Sequence, residues 1–462
     1  MTELAEVSAV DLVAGYRAGT FSPAEVLDSV LARIAGAEPS LRATYALDPD
    51  GARAAAEQSN QRWLRGEPAG PVDGVPVSVK ENIATRGVPV PLGSAATPLN
   101  PAERDAPAAA RLRESGAVLY GKTTMPDYGM LTSSTSSFHP LTRNPWDLTR
   151  TPGGSSAGAA AAAAAGYGPL HLGTDIGGSI RLPASFCGLV GVKPSQGRVP
   201  VYPPYAGRVI GPLTRTVADA ALLMSVVAAP DPRDHTALPS ADIPWQDLAS
   251  SLGGKRFGLL VEPELGLPVD PEVAAAVHAA AEQLAAAGAV VEPVPPFLTE
   301  RMLAGLNDFW RVRAWQDIGA LSASDQDKIL PQILDWAQGG ENLDGATVFH
   351  GHSQMDAMAV AATSAIAGYD YLLSPVCPVP AFAAELSYPT GDPRRPFEHI
   401  AFTVPYNMSG QPAVSIDCGR TESGLPIGLQ IAGHRFDDLG VLRMAAAYER
   451  IRPEPPSWPS LC

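Results

Sequence analysis

The sequence predicts an α/β protein built around a largely buried sheet. Short apolar runs bounded by glycine or proline alternate with stretches of helical periodicity. Its 462 residues suffice for a large core, and 45% hydrophobic against 18% charged residues is the composition of a compact globule. No internal repeat or long linker interrupts the chain, so one folded unit is expected. Residues 1–65 form an N-terminal helical segment packing on a core of residues 66–462.

The helical start rests on caps. Ser8 with Asp11, and Ser22-Pro23-Ala24-Glu25, have capping-box spacing, the second with proline at the first helical position. Val26, Val30, Leu31 and Ile34 then recur at helical intervals. Near Val72 the pattern changes: Gly74 to Lys80 is a short apolar run that reads as a buried strand ending at Lys80. Residues 118–122 read as a second strand. From Arg150 to Pro194 the pattern is glycine-rich turns around one helix, Ala157–Ala165. Residues 255–261, 366–376 and 424–431 are further strand candidates, and Asp270-Pro271 opens an alanine-rich helix that Gly288 closes.

Charge and cysteine usage exclude several function classes. A net charge of -15 argues against nucleic acid or an anionic membrane as partner. The N-terminus runs directly into a helical pattern without an export signal, so a cytoplasmic location is expected. Cys187, Cys377, Cys418 and Cys462 are too scattered for a disulfide framework or a metal site. The longest apolar run, Ala157 to Ala165, is too short to span a bilayer.

The chemistry concentrates in two glycine turns. Gly153 and Gly154 permit unusual backbone angles and close approach, and they deliver Ser155 and Ser156 to the start of the alanine helix. A helix without a polar face must be buried, and it then fixes whatever stands at its N-terminus. The second turn, Ile176-Gly177-Gly178-Ser179, offers consecutive backbone N–H groups with little side-chain obstruction. Such donors meet the requirement of an oxyanion hole, where removing one costs roughly 3–4 kcal/mol of transition-state stabilisation. A serine hydroxyl needs a base to become nucleophilic, and none of the eight histidines is an obvious partner. A lysine serves if burial keeps it neutral, a shift of about three units from ~10.4 costing about 4 kcal/mol. Only five of the 33 basic residues are lysines, and Lys80 ends an apolar strand. Arginine could not replace it, since it does not deprotonate at accessible pH.

Three segments together resemble the amidase signature family: Val79-Lys80-Glu81-Asn82, Gly153 to Gly158, and Gly173-Thr-Asp-Ile-Gly-Gly-Ser-Ile-Arg181. Ser155 and Ser179 lie 24 residues apart and Lys80 lies 99 before Ser179, spacings similar to that family's. Further similar segments run from Cys187 to Pro194, Gly211 to Arg215 with Asp219, Tyr369 to Pro375, and Gly424 to Gln430. The resemblance implies a three-layer α/β/α fold with a large mixed central sheet. It also implies a Ser-cisSer-Lys triad: Ser179 attacks the carbonyl, Ser155 relays the proton across a cis linkage to the residue before it, and Lys80 is the base. The N–H groups of Ile176, Gly177, Gly178 and Ser179 would hold the oxyanion, with Ser156, Asp175 and Arg181 in support. No cofactor and no metal are implied.

Several features are read as structural. A lone glycine-serine turn is usually structural, and only the combination with Lys80 reverses the odds. Lys122 and Lys193 follow this bland reading, and Arg181 is equally compatible with an ion pair to Asp175. Gly351-His-Ser-Gln-Met355 lacks the fifth-position glycine of a nucleophile elbow, His350 and His352 are isolated, and Cys187 has the apolar setting of an inert thiol. No Gly-Lys-Ser/Thr follows the glycine turns, which argues against phosphate binding.

Met125, Tyr128, Gly129, Met130 and Leu131 are expected to wall the acyl pocket, with Phe309 and Trp310 as a second aromatic group. Their apolar character points to an aryl or hydrophobic substrate, with amides, aryl acylamides and carbamates (urethanes) all open. The expected partners are that small molecule and water. Two alternatives stand: an amidotransferase subunit that supplies ammonia from glutamine to a partner, and a non-catalytic scaffold. The subunit's usual Lys-Arg-Arg-Ile segment is not visible around 305–350, where Arg311-Val-Arg-Ala-Trp-Gln stands, so no obligate protein partner is expected. A scaffold would have lost a serine or the lysine, and all three are present.

Overall fold

The computed structural model describes residues 3–392 and 394–461, so Cys462 lies outside the described residues. Eleven strands are formed by these residues: β1 (Thr44–Tyr45), β2 (Pro76–Lys80), β3 (Val118–Thr123), β4 (Leu170–Asp175), β5 (Val190–Lys193) and β6 (Val209–Thr214); then β7 (Arg256–Leu259), β8 (Val290–Pro293), β9 (Tyr371–Pro375), β10 (Ala413–Arg420) and β11 (Pro426–Ala432). They make one mixed sheet in the order β1-β3-β2-β4-β6-β5-β10-β11-β9-β7-β8. The trios β3-β2-β4 and β9-β7-β8 are parallel, and the pairs between them are antiparallel.

Helices cover both faces. Val77 and Val79 of β2 and Leu170 and Leu172 of β4 face the helices Val217–Val227 and Asp438–Ile451 in the main apolar core. Side chains alternate along a strand, so Ser78 and Lys80 turn to the opposite face. There the helix Ala157–Ala165 crosses β2, β3, β4 and β6. All nine of its residues are buried. One side of it meets Leu27, Val30, Val118 and Tyr120, and another meets Ile180, Ala184 and Leu213. The helix packs closely at its start: even a Cβ on Gly158 would lie 2.2 Å from the Ala43 carbonyl oxygen.

The caps at Ser8 and Ser22 form as the sequence predicts, the second as a full capping box. The alanine-rich helix runs Pro271–Ala286, with Gly288 at φ +98° just beyond it. The N-terminal segment holds the helices Ala9–Ala18, Pro23–Leu41 and Pro49–Arg65, and its β1 adds an edge strand to β3. Between Arg150 and Pro194 the expectation of turns around one helix is corrected. Strands β4 and β5 and the helix Arg181–Cys187 also lie there. His171 and Gly173 break the apolar run of β4, and a seven-residue helix with Pro183 near its start is too short to show a period. The strand expected at 366–376 shortens to β9 because residues 366–370 form the turn that follows the helix Gly345–Ala365. Among the described residues no helix is long and apolar enough to cross a membrane.

Candidate active site

The site forms where β2 and β4 end beneath the N-terminus of the alanine helix. Lys80, fully buried at the last position of β2, places Nζ 2.8 Å from Ser155 Oγ and 3.0 Å from Thr174 Oγ1. Asn82 Nδ2 donates to the same threonine hydroxyl at 3.1 Å. Burial drives the Lys80 ammonium well below the usual lysine range; Asp175 and Glu81 oppose this, and the positive Arg208 adds to it. The Gly154–Ser155 peptide bond is cis, as the family resemblance implies. Ser156 locks the helix start to β4: its Oγ donates to the Thr174 carbonyl at 3.2 Å and accepts from the Thr174 N–H at 3.2 Å.

The second turn hangs on Asp175. Its carboxylate accepts from the N–H groups of Gly178, Ile180 and Arg181 and from Asn407 Nδ2. Arg181 closes a two-point ion pair with it, both bonds 3.0 Å and both side chains fully buried. Burial alone would raise the Asp175 carboxyl, but Arg181 and Asn407 hold it well below the usual carboxylate range. Arg181 also donates to Gln430 Oε1 at 2.7 Å and the Thr403 carbonyl at 2.9 Å, tying the turn to β11. Thr403 Oγ1 donates to the Gly177 carbonyl at 2.6 Å, which fixes that peptide plane. Gly178 stands at φ +125°, where a Cβ would lie 2.6 Å from Thr403 Oγ1.

This frame corrects one expectation. The Gly178 N–H points to Asp175 at 2.8 Å, so that donor is spent on holding the turn. The N–H groups of Ile176, Gly177 and Ser179 have no partner among the described residues. Ser179 Oγ, half-buried, is likewise without one.

Two cavities meet at Ser179. The smaller, about 270 Å³, is polar and lined by Asn82, Ser155, Thr174, Asp175 and Ser179. The larger, about 660 Å³ including its open mouth, is walled by Tyr128, Met130, Leu131, Leu182, Trp310 and Ile400 with Ile176 and Gly177. Tyr128, Gly129, Ile176 and Arg208 border both. Gly129 is close-set: a Cβ there would come within 3.3 Å of Ser155 Oγ.

Of the residues the sequence proposes as pocket walls, Tyr128, Gly129, Met130, Leu131 and Trp310 do line the larger cavity. Met125 and Phe309 do not. Met125 is buried beneath Gly129, and Phe309 turns outward to pack edge-on against His352. Helical geometry explains the latter, since successive residues point about 100° apart and Trp310 takes the inward direction. Sequence reasoning missed Thr174 and Asn82 beside Lys80, and Tyr205, Arg208, Arg313, Phe397 and His399 around the cavity. Asn82 stands in the segment that carries Lys80 and Thr174 in the one that carries Ser179, whereas the others come from distant stretches without a local signature. Trp310 Nε1 and His399 Nδ1, both buried in this wall, have no hydrogen-bond partner among the described residues. Burial pushes the His399 ring down to about 3, so it is neutral at neutral pH.

The residues set aside as structural sit apart. Beside Val79 in the parallel register, Lys122 lies on the face of the sheet opposite Lys80. Burial lowers it to about 8. Lys193 donates to the Pro194 carbonyl and is brought to about 7 by burial and Arg181. Gly351 to Met355 lies within the helix Gly345–Ala365, and burial pushes the Cys187 thiol far above its usual range.

Comparison with known proteins places this geometry in a family context. The family model described as Amidase matches residues 25–442. The chain is similar to a glutamyl-tRNA(Gln) amidotransferase subunit of Myxococcus xanthus (strain DK1622), 37% identical over 97% of this chain and 98% of that one. Among solved structures it resembles a bacterial aryl acylamidase of the amidase signature family, with 29% identity, TM-score 0.88 and 96% of each chain covered. It also resembles a 6-aminohexanoate cyclic dimer hydrolase, with 28% identity, TM-score 0.89 and the whole of both chains covered.

Proposed function

The chain belongs to the amidase signature family, hydrolases acting on carbon–nitrogen bonds, and on that premise we propose that it is a free-standing amidase cleaving an apolar amide, aryl acylamide or carbamate through a serine acyl-enzyme. One observation carries the reading: a fully buried Lys80, pressed toward its neutral form, lies 2.8 Å from Ser155 Oγ in the cavity that Ser179 shares. Ser179 Oγ attacks the carbonyl carbon while its proton passes to Ser155 Oγ and the Ser155 proton passes to neutral Lys80. The N–H groups of Ile176, Gly177 and Ser179 receive the charge on the carbonyl oxygen. When the C–N bond breaks, Ser155 gives a proton to the leaving nitrogen and recovers one from Lys80. Water then attacks the acyl-enzyme through the same relay, freeing the acid and restoring Ser179.

Ser156, Asp175 and Arg181 position these groups without touching substrate. A fluorophosphonate probe tests the reading: it labels wild-type protein at Ser179 and not Ser179→Ala. Absence of label on folded wild-type protein would sink the hydrolase assignment. Turnover of anilides, aliphatic amides and p-nitrophenyl carbamates, compared by kcat/KM, then ranks the substrates.

The likeness to an amidotransferase subunit over nearly the whole chain favours a second reading, release of ammonia from glutamine for a partner protein. The cavity lining weighs against it. Glutamine carries an α-ammonium group, and no Asp or Glu among the described residues lines the larger cavity. Asp175, in the smaller one, is committed to Arg181 and Asn407. Ammonia release from glutamine that appears only with such a partner present would establish the second reading instead.

A further inference from the structure

Two arginines of the larger cavity form no ion pair among the described residues. Arg208 and Arg313, both half-buried, come from segments a hundred residues apart and flank the ring of Tyr205. Their guanidinium carbons lie 5.1 Å and 3.8 Å from its centroid. Neither forms an ion pair there, whereas many other arginines of this chain do, among them Arg33, Arg62, Arg181, Arg198 and Arg233. Asp317, one turn beyond Arg313 on the helix Glu300–Ile318, is exposed and pairs with neither. Two like charges held around one ring in a partly desolvated wall repel each other. The Arg208 guanidinium is lowered by burial and by Arg313, with Tyr205 and, more weakly, Asp317 opposing.

The chain has 48 acidic residues, yet none of the described ones lines the larger cavity. A carboxylate between two guanidinium forks can accept two or more charge-assisted hydrogen bonds, which is the geometry arginine recognises best. Much of the remaining wall is apolar, from Met130 and Leu131 to Leu182 and Phe397, with Thr132, His399 and the Trp310 Nε1–H as its polar parts. Arg208 also borders the smaller cavity with Ser155 and Ser179, so a group held there lies on the reacting molecule itself.

We propose that Arg208 and Arg313 form an anion subsite, and that the substrate is an amide with an apolar body and a free carboxylate. This rests on the amidase reading above and narrows its substrate class. The larger cavity has no carboxylate in its described lining and Asp175 of the smaller one is already paired, which makes the preferred molecule a simple anion, not a zwitterion such as glutamine.

The test uses the full chain and two matched pairs of anilides. Glutaric acid monoanilide carries its carboxylate on the acyl side, with valeranilide as neutral counterpart. The anilide 4-acetamidobenzoate carries it on the amine side, with 4-methylacetanilide as counterpart. Wild-type protein is expected to favour the carboxylated member of at least one pair by tenfold or more in kcat/KM, and the favoured pair identifies the side. In Arg313→Gln, and more strongly in Arg208→Gln/Arg313→Gln, that ratio falls by tenfold or more, chiefly through KM. No preference in wild-type protein, an unchanged ratio, or an equal kcat loss on charged and neutral substrates overturns the proposal; the last outcome would assign Arg208 to the oxyanion instead. Calorimetric titration with benzoate is independent of turnover. Its dissociation constant rises at least tenfold in the double variant, and equal binding overturns the subsite. Wild-type protein that takes no fluorophosphonate label and cleaves no anilide refutes the amidase reading, while the benzoate titration still decides the anion subsite.

Discussion

In the proposed mechanism Lys80 serves as a base only because it is buried, and its burial predicts a pH dependence. A lysine with a lowered pKa becomes neutral at a lower pH than one in water, so kcat/KM rises with pH and reaches its plateau below the ordinary lysine value of 10.5. In Lys80→Met this ascending limb disappears and turnover falls by a factor of about 10² to 10⁴. A pH–rate profile checks both, and near wild-type turnover at neutral pH would remove Lys80 from the mechanism. Gly178 serves the turn differently. Its φ of +125° and the 2.6 Å between a Cβ and Thr403 Oγ1 predict that Gly178→Ala destabilises the protein by about 1–3 kcal/mol. Arg181→Met leaves the Asp175 carboxylate buried without its ion pair, a loss of about 3–5 kcal/mol. Urea unfolding measures each.

At the scale of the element, the alanine helix is the mount for Ser155, and its small side chains are a packing requirement. Ala161 faces Leu27, Val30 and Tyr120 with no exposed surface. Ala161→Leu overfills this space, and a loss of about 1–3 kcal/mol is expected from the urea midpoint. Because the mount shifts with the helix, kcat falls while KM for the same substrate changes little. A stable variant with unaltered kcat would separate the helix from the relay. The helix was legible in sequence because a run with no polar face admits only a buried location. Strand β4 was not legible, since His171 and Gly173 conceal its alternation. His171 is accommodated because Ser78 Oγ meets its Nδ1 at 2.7 Å and the Gly168 carbonyl meets its Nε2 at 3.0 Å.

At the scale of the whole molecule, buried histidines set part of the acid response. Burial brings His171 down to about 4, so below pH 6.5 the unfolded chain takes up a proton that the folded protein refuses. The stability His171 contributes is therefore present above pH 6.5 and lost as pH falls toward about 4, about 3 kcal/mol in all. Asp219, raised to about 7 by burial, acts in the opposite direction. The comparison is thus between wild-type protein and His171→Gln, whose stability should fall less between pH 7 and 4.5; identical slopes in urea titrations would contradict it.

What the sequence determined by itself was local: the caps, the glycine turns, the alanine helix, and two serines and a lysine at informative spacings. Each rests on neighbours a few residues away, where backbone conformation and hydrogen bonding are set. Only the tertiary structure decided which face of the sheet Lys80 occupies, that Asp175 takes the Gly178 donor, and that Met125 and Phe309 stand outside the cavity. It alone brought Tyr205, Arg208, Arg313 and Phe397 to one wall. Those residues meet through the crossing of distant strands and helices, and no short-range pattern in the chain encodes a cavity assembled from such separated parts.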